Sequence, residues 1–98
     1  MASIIIKMAP QDTKREMYGP QTLQVVKDNL QRYISYPPIV VVHEGEEAAE
    51  EAFDLTNNPS RQEEREIKYG RGPSLSVGDV VCVDGVNYAC LSMGWQVV

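Results

Sequence analysis

The fold of this protein is decided by residues 74–98, SLSVGDVVCVDGVNYACLSMGWQVV. Two runs rich in β-branched and aromatic residues flank Asp84-Gly85, a dipeptide suited to the two positive-φ positions of a type I′ turn. The stretch therefore predicts a β-hairpin in which Val83 faces Val86. A short third strand from Trp95 to Val98 is expected to follow.

Side chains alternate along this hairpin and place apolar residues on both faces of the sheet. One face carries Val81, Val83, Val86, Tyr88 and Cys90, and the other carries Val80, Cys82, Asn87, Ala89 and Leu91. A sheet that is apolar on both sides requires cover on both sides, from helices of the same chain or from a partner. The two cysteines belong to opposite faces, so we expect no disulfide between them.

The first half of the chain predicts two buried strands and a helix. The strands are expected at Ser3–Met8 and Ile39–Val42, and residues 11–18 are expected to form a loop. Pro20 is suited to the first position of a helix, which ends before Pro37-Pro38. We interpret the apolar stripe of this helix as core, and its members are Leu23, Val26, Leu30, Tyr33 and Ile34.

The second half contains a short acidic helix and a charged connection. The helix is predicted from Glu46 to Leu55, with inward positions Ala48, Ala49, Ala52 and Phe53. Ser60 and Glu63 have the spacing of a capping box. The connection that follows, up to Gly72-Pro73, is polar on nearly all sides, and we expect a frayed helix or a mobile loop there.

These elements predict one α+β domain over residues 1–98. The expected architecture is a small mixed sheet with two helices in the order β-α-β-α-β-β-β, with the C-terminal hairpin at its centre. A chain of 98 residues is large enough for a single core but not for two.

Composition excludes several classes of function. The net charge of −5 repels nucleic acid, and no basic cluster is visible, so direct nucleic-acid binding is not expected. No apolar run approaches the length of a membrane span, and no signal peptide is recognised. Two cysteines without a disulfide framework are typical of a reducing cytoplasm.

The acidic residues are concentrated in one segment. Residues 44–66 hold nine of the fourteen acids and only two arginines, a net charge of −7. This segment is either a solvated face or a binding surface for a basic partner, since concentrated charge steers association. The nine candidate residues are Glu44, Glu46, Glu47, Glu50, Glu51, Asp54, Glu63, Glu64 and Glu66.

Other chemistry-bearing residues give weaker signals. His43 is the only histidine, and a solvated residue at a strand end is the favoured interpretation over a general base. Together with the two cysteines, which belong to opposed faces, it would give at most three zinc ligands, so no metal is expected. Gly70-Arg71-Gly72 precedes a strand and not a helix, so it is not a phosphate-binding loop and no cofactor is expected. Tyr88 and Trp95 are interpreted as core residues that could also anchor an interface, with Tyr69 at its rim.

The order of these segments resembles the YodL-like family of small domains of phages and conjugative elements. The resemblance covers about residues 39–98 and is carried by the strand at Val40–Val42, the acidic helix, Asn57-Asn58-Pro59, the string SLSVGDVV, Tyr88 and Gly94-Trp95. The charged segment 59–74 is longer than the corresponding family connection. The resemblance supplies no catalytic residues, and it implies a mobile-element protein that acts against host defences.

The expected function is therefore that of a non-enzymatic protein which binds and inhibits a host defence complex, of CRISPR or restriction type, in the bacterial cytoplasm. The expected partner is a protein with a basic surface, and a homodimer is a further option. Two alternatives stay open at this point: a small enzyme or enzyme subunit with an unrecognised loop site, and a structural or assembly module of the element.

Overall fold

The computed structural model describes residues 1–98, which form six strands and three α-helices. In chain order the elements are β1 (Ala2–Met8), α1 (Thr22–Asn29), β2 (Ile34–Ser35), β3 (Ile39–Val41), α2 (Gly45–Asn57), α3 (Gln62–Lys68), β4 (Val80–Val83), β5 (Val86–Leu91) and β6 (Gly94–Val97). Three short 3₁₀ helices occupy Gln11–Glu16, Leu30–Arg32 and Pro59–Arg61. The predicted α+β class is confirmed.

All strands belong to one sheet in the order β2-β1-β4-β5-β6, and β3 also pairs with β1. Ile4 pairs with both Ile39 and Val83, so β3 and β4 flank β1 on opposite sides. Every pair is antiparallel, whereas a mixed sheet was expected. The hairpin of β4 and β5 lies between β1 and β6, which confirms its central position.

The hairpin has the predicted register. Val83 pairs with Val86, and the pairing continues to Val80 opposite Ala89. The two turn residues both have positive φ, 46° at Asp84 and 89° at Gly85. These are the conformations of a type I′ turn, which matches the right-handed twist of the flanking strands.

The two faces of the sheet are covered by different helices. Ala48, Ala49 and Ala52 of α2 are fully buried in a cluster with Val81 and Val83 of β4. Val26 of α1 is buried with Val80 and Ala89 on the other face. The α2 side holds 14 buried residues and the α1 side holds 6, so the acidic helix α2 anchors most of the core and its outward face is held rigidly.

The turn that precedes β4 is built around Asp79, which has no exposed surface. One of its carboxylate oxygens accepts hydrogen bonds from the Ala9 N–H and the Lys14 ammonium group. The other accepts hydrogen bonds from the Ser76 N–H and hydroxyl. This geometry gives the SLSVGDVV string a structural role: it ties the start of β4 to the end of β1.

The first helix is shorter than the sequence pattern predicted. It ends at Asn29, a 3₁₀ turn follows, and Tyr33 is extended. Tyr33 is buried as expected, and its hydroxyl donates a hydrogen bond to the Gly78 carbonyl oxygen at 2.6 Å. Ile34 was expected in the core but lies exposed in β2, because it is on a strand at the sheet edge and not on the helix.

Two other predictions in the N-terminal half change. Residues 11–18 are not an irregular loop, since Gln11–Glu16 form a 3₁₀ helix whose end packs Met17 into the core. The strand Ile39–Val41 is buried on one side only, and Val40 is 55% exposed. As an edge strand, β3 has a face and a backbone edge open to solvent.

The segment after α2 is ordered by contacts that the sequence pattern did not show. The predicted capping box is wrong, because the Ser60 N–H bonds the side-chain oxygen of Asn58 and not Glu63. In place of a frayed helix or mobile loop, α3 forms a regular helix. Its polar faces are stabilised by charge pairs, which are described below.

Candidate functional site

The predicted acidic residues lie on α2, just before α2 and on α3, and together they are named the acidic surface below. Glu66 lies apart from the others, beside Arg65 and Arg71 on α3 and the turn that follows it. α2 places its alanines inward, and its 3.6-residue period therefore turns its glutamates outward. α3 packs beside α2 and adds further carboxylates. The acidic surface comprises Glu44, Glu46, Glu47, Glu50, Glu51, Asp54, Glu63, Glu64 and Glu66.

Arg61 organises the middle of this surface. Its guanidinium group donates two hydrogen bonds to Glu64, at 3.0 and 2.8 Å, and one to Asp54 at 2.9 Å. A carboxylate oxygen of Glu51 lies 3.7 Å away. Lys68 adds an ion pair to Glu64 at 3.1 Å. These five residues are named the Arg61 network, and they lock α3 against α2.

The charges of the Arg61 network stabilise its ionised form. Hydrogen bonds from Arg61 and then Lys68 lower the pKa of Glu64 from 4.5 to about 2. Hydrogen bonds from Arg61 and Asn58 lower the pKa of Asp54. Hydrogen bonds to Glu64 and then Asp54 raise the pKa of Arg61. The carboxylates of this network are therefore charged at every physiological pH.

His43 lies at the end of β3 and contacts Glu51 across the groove between strand and helix. Its Nδ1 is 2.6 Å from Oε1 of Glu51. Partial burial opposes ionisation of Glu51, but the hydrogen bonds from His43 outweigh it and lower the pKa of this carboxyl group. The His43 side chain is 52% exposed, which agrees with the predicted solvated strand end.

An open groove of about 640 Å³ runs along this surface. It holds five carboxylates against two basic side chains, so its lining has a net negative charge. Such a groove attracts cationic groups and repels phosphates. The lining residues are Val42, His43, Glu47, Glu50, Glu51, Asp54, Arg61, Glu64 and Lys68.

The predicted acidic residues differ in whether their carboxylates already have ion-pair or hydrogen-bond partners within the protein. Glu46, Glu47 and Glu63 are exposed and have no ion pair and no side-chain hydrogen bond. Glu44 pairs with the amino group of Met1 at 3.2 Å, and Glu66 accepts a hydrogen bond from Gln62. The charge available to a partner is therefore greatest at the first turn of α2, outside the Arg61 network.

The three predicted aromatic residues are placed differently. Tyr69 is only 8% exposed, and its ring lies 5.5 Å from that of Tyr36, so it belongs to the core and not to an interface rim. A Cβ atom at Gly72 would lie 2.6 Å from the Tyr69 ring, which explains why position 72 is a glycine. Tyr88 is half-buried against the α2 cluster.

Trp95 is the predicted aromatic residue that joins the acidic surface. It is half-buried on β6, and its indole N–H donates a hydrogen bond to Oε1 of Glu50 at 2.5 Å. Its ring meets that of Phe53 edge to face, with 6.4 Å between the ring centroids. Glu50 of α2 therefore belongs to the acidic surface and also contacts the aromatic pair of Trp95 and Phe53.

Arg61 and Phe53 belong to the site, although the sequence pattern did not predict them there. For Arg61 a local signal exists, because Arg61, Glu64 and Lys68 follow one another at helical spacings of three and four residues. Phe53 was assigned to the core, and its contact with Trp95 depends on tertiary structure.

No group of His, Cys, Asp and Glu side chains is arranged to hold a metal ion. No helix has the length and apolar character needed to cross a membrane. No protein-family model, curated protein or solved structure matches this chain.

Proposed function

We propose that this protein is a non-enzymatic inhibitor that binds a basic surface of a partner protein through its acidic surface. The observation that carries the proposal is the free negative charge at the start of α2, beside a groove lined mostly by carboxylates. Glu46 and Glu47 are exposed and unpaired, so they remain available to a partner.

The rigidity of this surface supports binding. α2 is anchored by fully buried alanines, and the Arg61 network joins α3 to it. The helix that carries Glu46 and Glu47 is held in place, so on association only their side chains lose conformational freedom and the backbone does not. A basic protein surface is the partner chemistry that this arrangement favours.

The class of partner comes from the resemblance to the YodL-like family. It implies a phage or mobile-element protein that counteracts a host defence complex, such as a CRISPR effector or a restriction enzyme, in the bacterial cytoplasm. Such complexes bind nucleic acid through basic grooves. A rigid acidic surface suits a groove of this kind by charge, and we propose that it competes with the nucleic acid there.

A catalytic role receives less support from the same groove. His43 and Glu51 form the carboxylate–imidazole contact that general bases use. However, Ser, Thr and Cys are not among the groove-lining residues, so a nucleophile for covalent catalysis would have to come from elsewhere. We therefore favour binding over the enzyme alternative.

Charge reversal at the start of α2 tests the proposal. The variant E46K/E47K changes two exposed carboxylates and leaves the Arg61 network intact. Reversing Glu51 as well would be uninformative, because its side chain is only 11% exposed and contacts both His43 and Arg61. The matched control is E16K/D28K, which makes the same change in net charge on exposed residues elsewhere.

The parent protein and both variants are used as baits for affinity capture from a lysate of a bacterium with active defence systems. The same three proteins are expressed in that host in a plasmid-interference assay. We expect the parent and E16K/D28K to retain a defence protein and to protect the plasmid, and E46K/E47K to do neither. The association rate of E46K/E47K with the defence protein that the parent captures should be lower than the parent's by about tenfold or more at low ionic strength. Equal capture and protection by both variants would refute the acidic surface as the binding site.

A further inference from the structure

A second concavity lies beside the acidic groove, between α2 and the turn that joins β5 to β6. It has a volume of about 180 Å³ and is named the Trp95 notch. Small-molecule sites usually exceed ~300 Å³, so the notch is suited to the end of one side chain and not to a cofactor. Its lining includes Glu50, Phe53, Cys90, Leu91, Gly94 and Trp95.

Two aromatic rings and a carboxylate converge at the Trp95 notch. The rings of Phe53 and Trp95 are nearly perpendicular, with an interplanar angle of 84°. Oε1 of Glu50 accepts the indole N–H of Trp95, and Oε2 has no hydrogen-bond partner in the protein. The indole contact therefore fixes the carboxylate next to the rings and leaves one oxygen for a ligand.

This combination selects a planar cation. The face of an aromatic ring is electron-rich and attracts cations, most strongly for tryptophan. A guanidinium group can stack on such a face and donate N–H bonds to a carboxylate at the same time, which a compact ammonium group does less well. An anion would be repelled by Glu50, and an apolar side chain would desolvate this carboxylate without compensation.

We propose that the Trp95 notch receives an arginine side chain of the partner protein. The inference rests on the proposed function and names the partner's anchoring residue. Glu50 lines both the acidic groove and the notch, so one basic segment of a partner can occupy the two together. Trp and Arg are also the residue types that carry most binding energy at protein interfaces.

The single tryptophan of the chain makes the notch directly observable. The probe is a dye-labelled ten-residue peptide of alternating arginine and glycine, with citrulline and lysine versions as comparisons. Dye anisotropy reports binding anywhere on the protein, and the intrinsic emission of Trp95, measured with unlabelled peptides, reports occupation of the notch. Citrulline keeps the shape of arginine without its charge.

We expect the arginine peptide to shift the Trp95 emission, and the citrulline peptide to leave it unchanged. The variant E50Q retains an oxygen that can accept the indole N–H, and it should weaken the binding that the emission reports by about tenfold, the effect of losing 1.4 kcal/mol. The matched control E16Q removes one exposed carboxylate that lies outside the acidic surface, and it should bind as the parent does.

An emission response that is absent, equal for citrulline or lysine, or unchanged in E50Q would overturn the arginine assignment. If anisotropy still showed charge-dependent binding that E46K/E47K abolishes, the notch proposal would fail while the proposed function stood. If neither signal appeared with any peptide, both would fail. A shift that requires Glu50 and the guanidinium group supports both.

Discussion

The ammonium group of Lys14 lies 2.8 Å from a carboxylate oxygen of Asp79, which is completely buried. The contact joins the 3₁₀ helix after β1 to the turn before β4. Asp79 also receives hydrogen bonds from Ala9 and Ser76, so all of its charge is compensated by donors from three separate parts of the chain.

Replacing Asp79 by Asn should destabilise the fold strongly. The amide would bring an NH₂ group towards donors on Ser76 or Ala9, and the half-exposed Lys14 would lose its partner. We expect the free energy of unfolding to fall by about 3 kcal/mol, as when one member of a buried pair is removed. Urea denaturation measures this, and a loss below about 1 kcal/mol would contradict the role of Asp79.

The Arg61 network should stabilise the protein in a pH-dependent way. A carboxyl group whose pKa is lowered by folding contributes stability above its unfolded pKa and loses it as the pH falls through its folded value. For Glu64 this window runs from 4.5 down to about 2. Arg61→Met should therefore lower the melting temperature at pH 7, and the difference from the parent should shrink towards pH 2.

Arg15→Met is the control for this experiment, because Arg15 is exposed and forms no ion pair. Its melting temperature should follow that of the parent at every pH. A difference between parent and Arg61→Met that stays constant from pH 7 to pH 2 would mean that Arg61 acts through packing and not through its carboxylate partners.

The conformation of the hairpin turn predicts that a β-branched side chain at position 85 destabilises the fold. No atom lies within 4 Å of the position of an added Cβ, so only the positive φ of 89° opposes a side chain there. Gly85→Val should lower the free energy of unfolding by about 1–3 kcal/mol. Gly19 has equally open surroundings and no positive φ, so Gly19→Val should melt as the parent does.

The two thiols should react at different rates in the folded protein. Burial, and then the charges of Asp79 and Glu50, raise the pKa of Cys90 to about 11, whereas Cys82 is half-buried on the other face. Iodoacetamide at pH 8 should therefore modify Cys82 first, as followed by peptide mass spectrometry. Labelling of Cys90 as fast as that of Cys82 under native conditions would contradict the protection of its thiol by burial.

The hairpin was predictable from the sequence because its determinants are local. Asp84 and Gly85 fix the turn, and the turn fixes the register and the faces of β4 and β5. The end of α1 was not predictable, because periodicity extended through Tyr33 while a tertiary hydrogen bond to Gly78 and the sheet edge determine the conformation there. Local signals also failed at Ser60, where Asn58 provides the oxygen that was expected from Glu63.

The candidate site was predictable in composition but not in geometry. The positions of the nine acids follow from the sequence, whereas their pairing depends on Arg61 reaching Glu51 and Asp54 on a neighbouring helix. The contact of Glu50 with Trp95 spans 45 positions and joins a helix to an edge strand. No spacing rule reports a contact of that kind.

The central pairing of β1 with β4 has a consequence for biosynthesis. Ser3 and Asp84 exchange hydrogen bonds across 81 positions of the chain. During translation, β1 therefore leaves the ribosome long before β4 has been synthesised. Until then the apolar residues of β1 have no partner strand and stay exposed. Long-range pairing of this type is slow and leaves strand edges exposed to aggregation. We therefore expect that this topology makes the chain depend on chaperones during translation. We also expect slow folding to the native state after release from the ribosome.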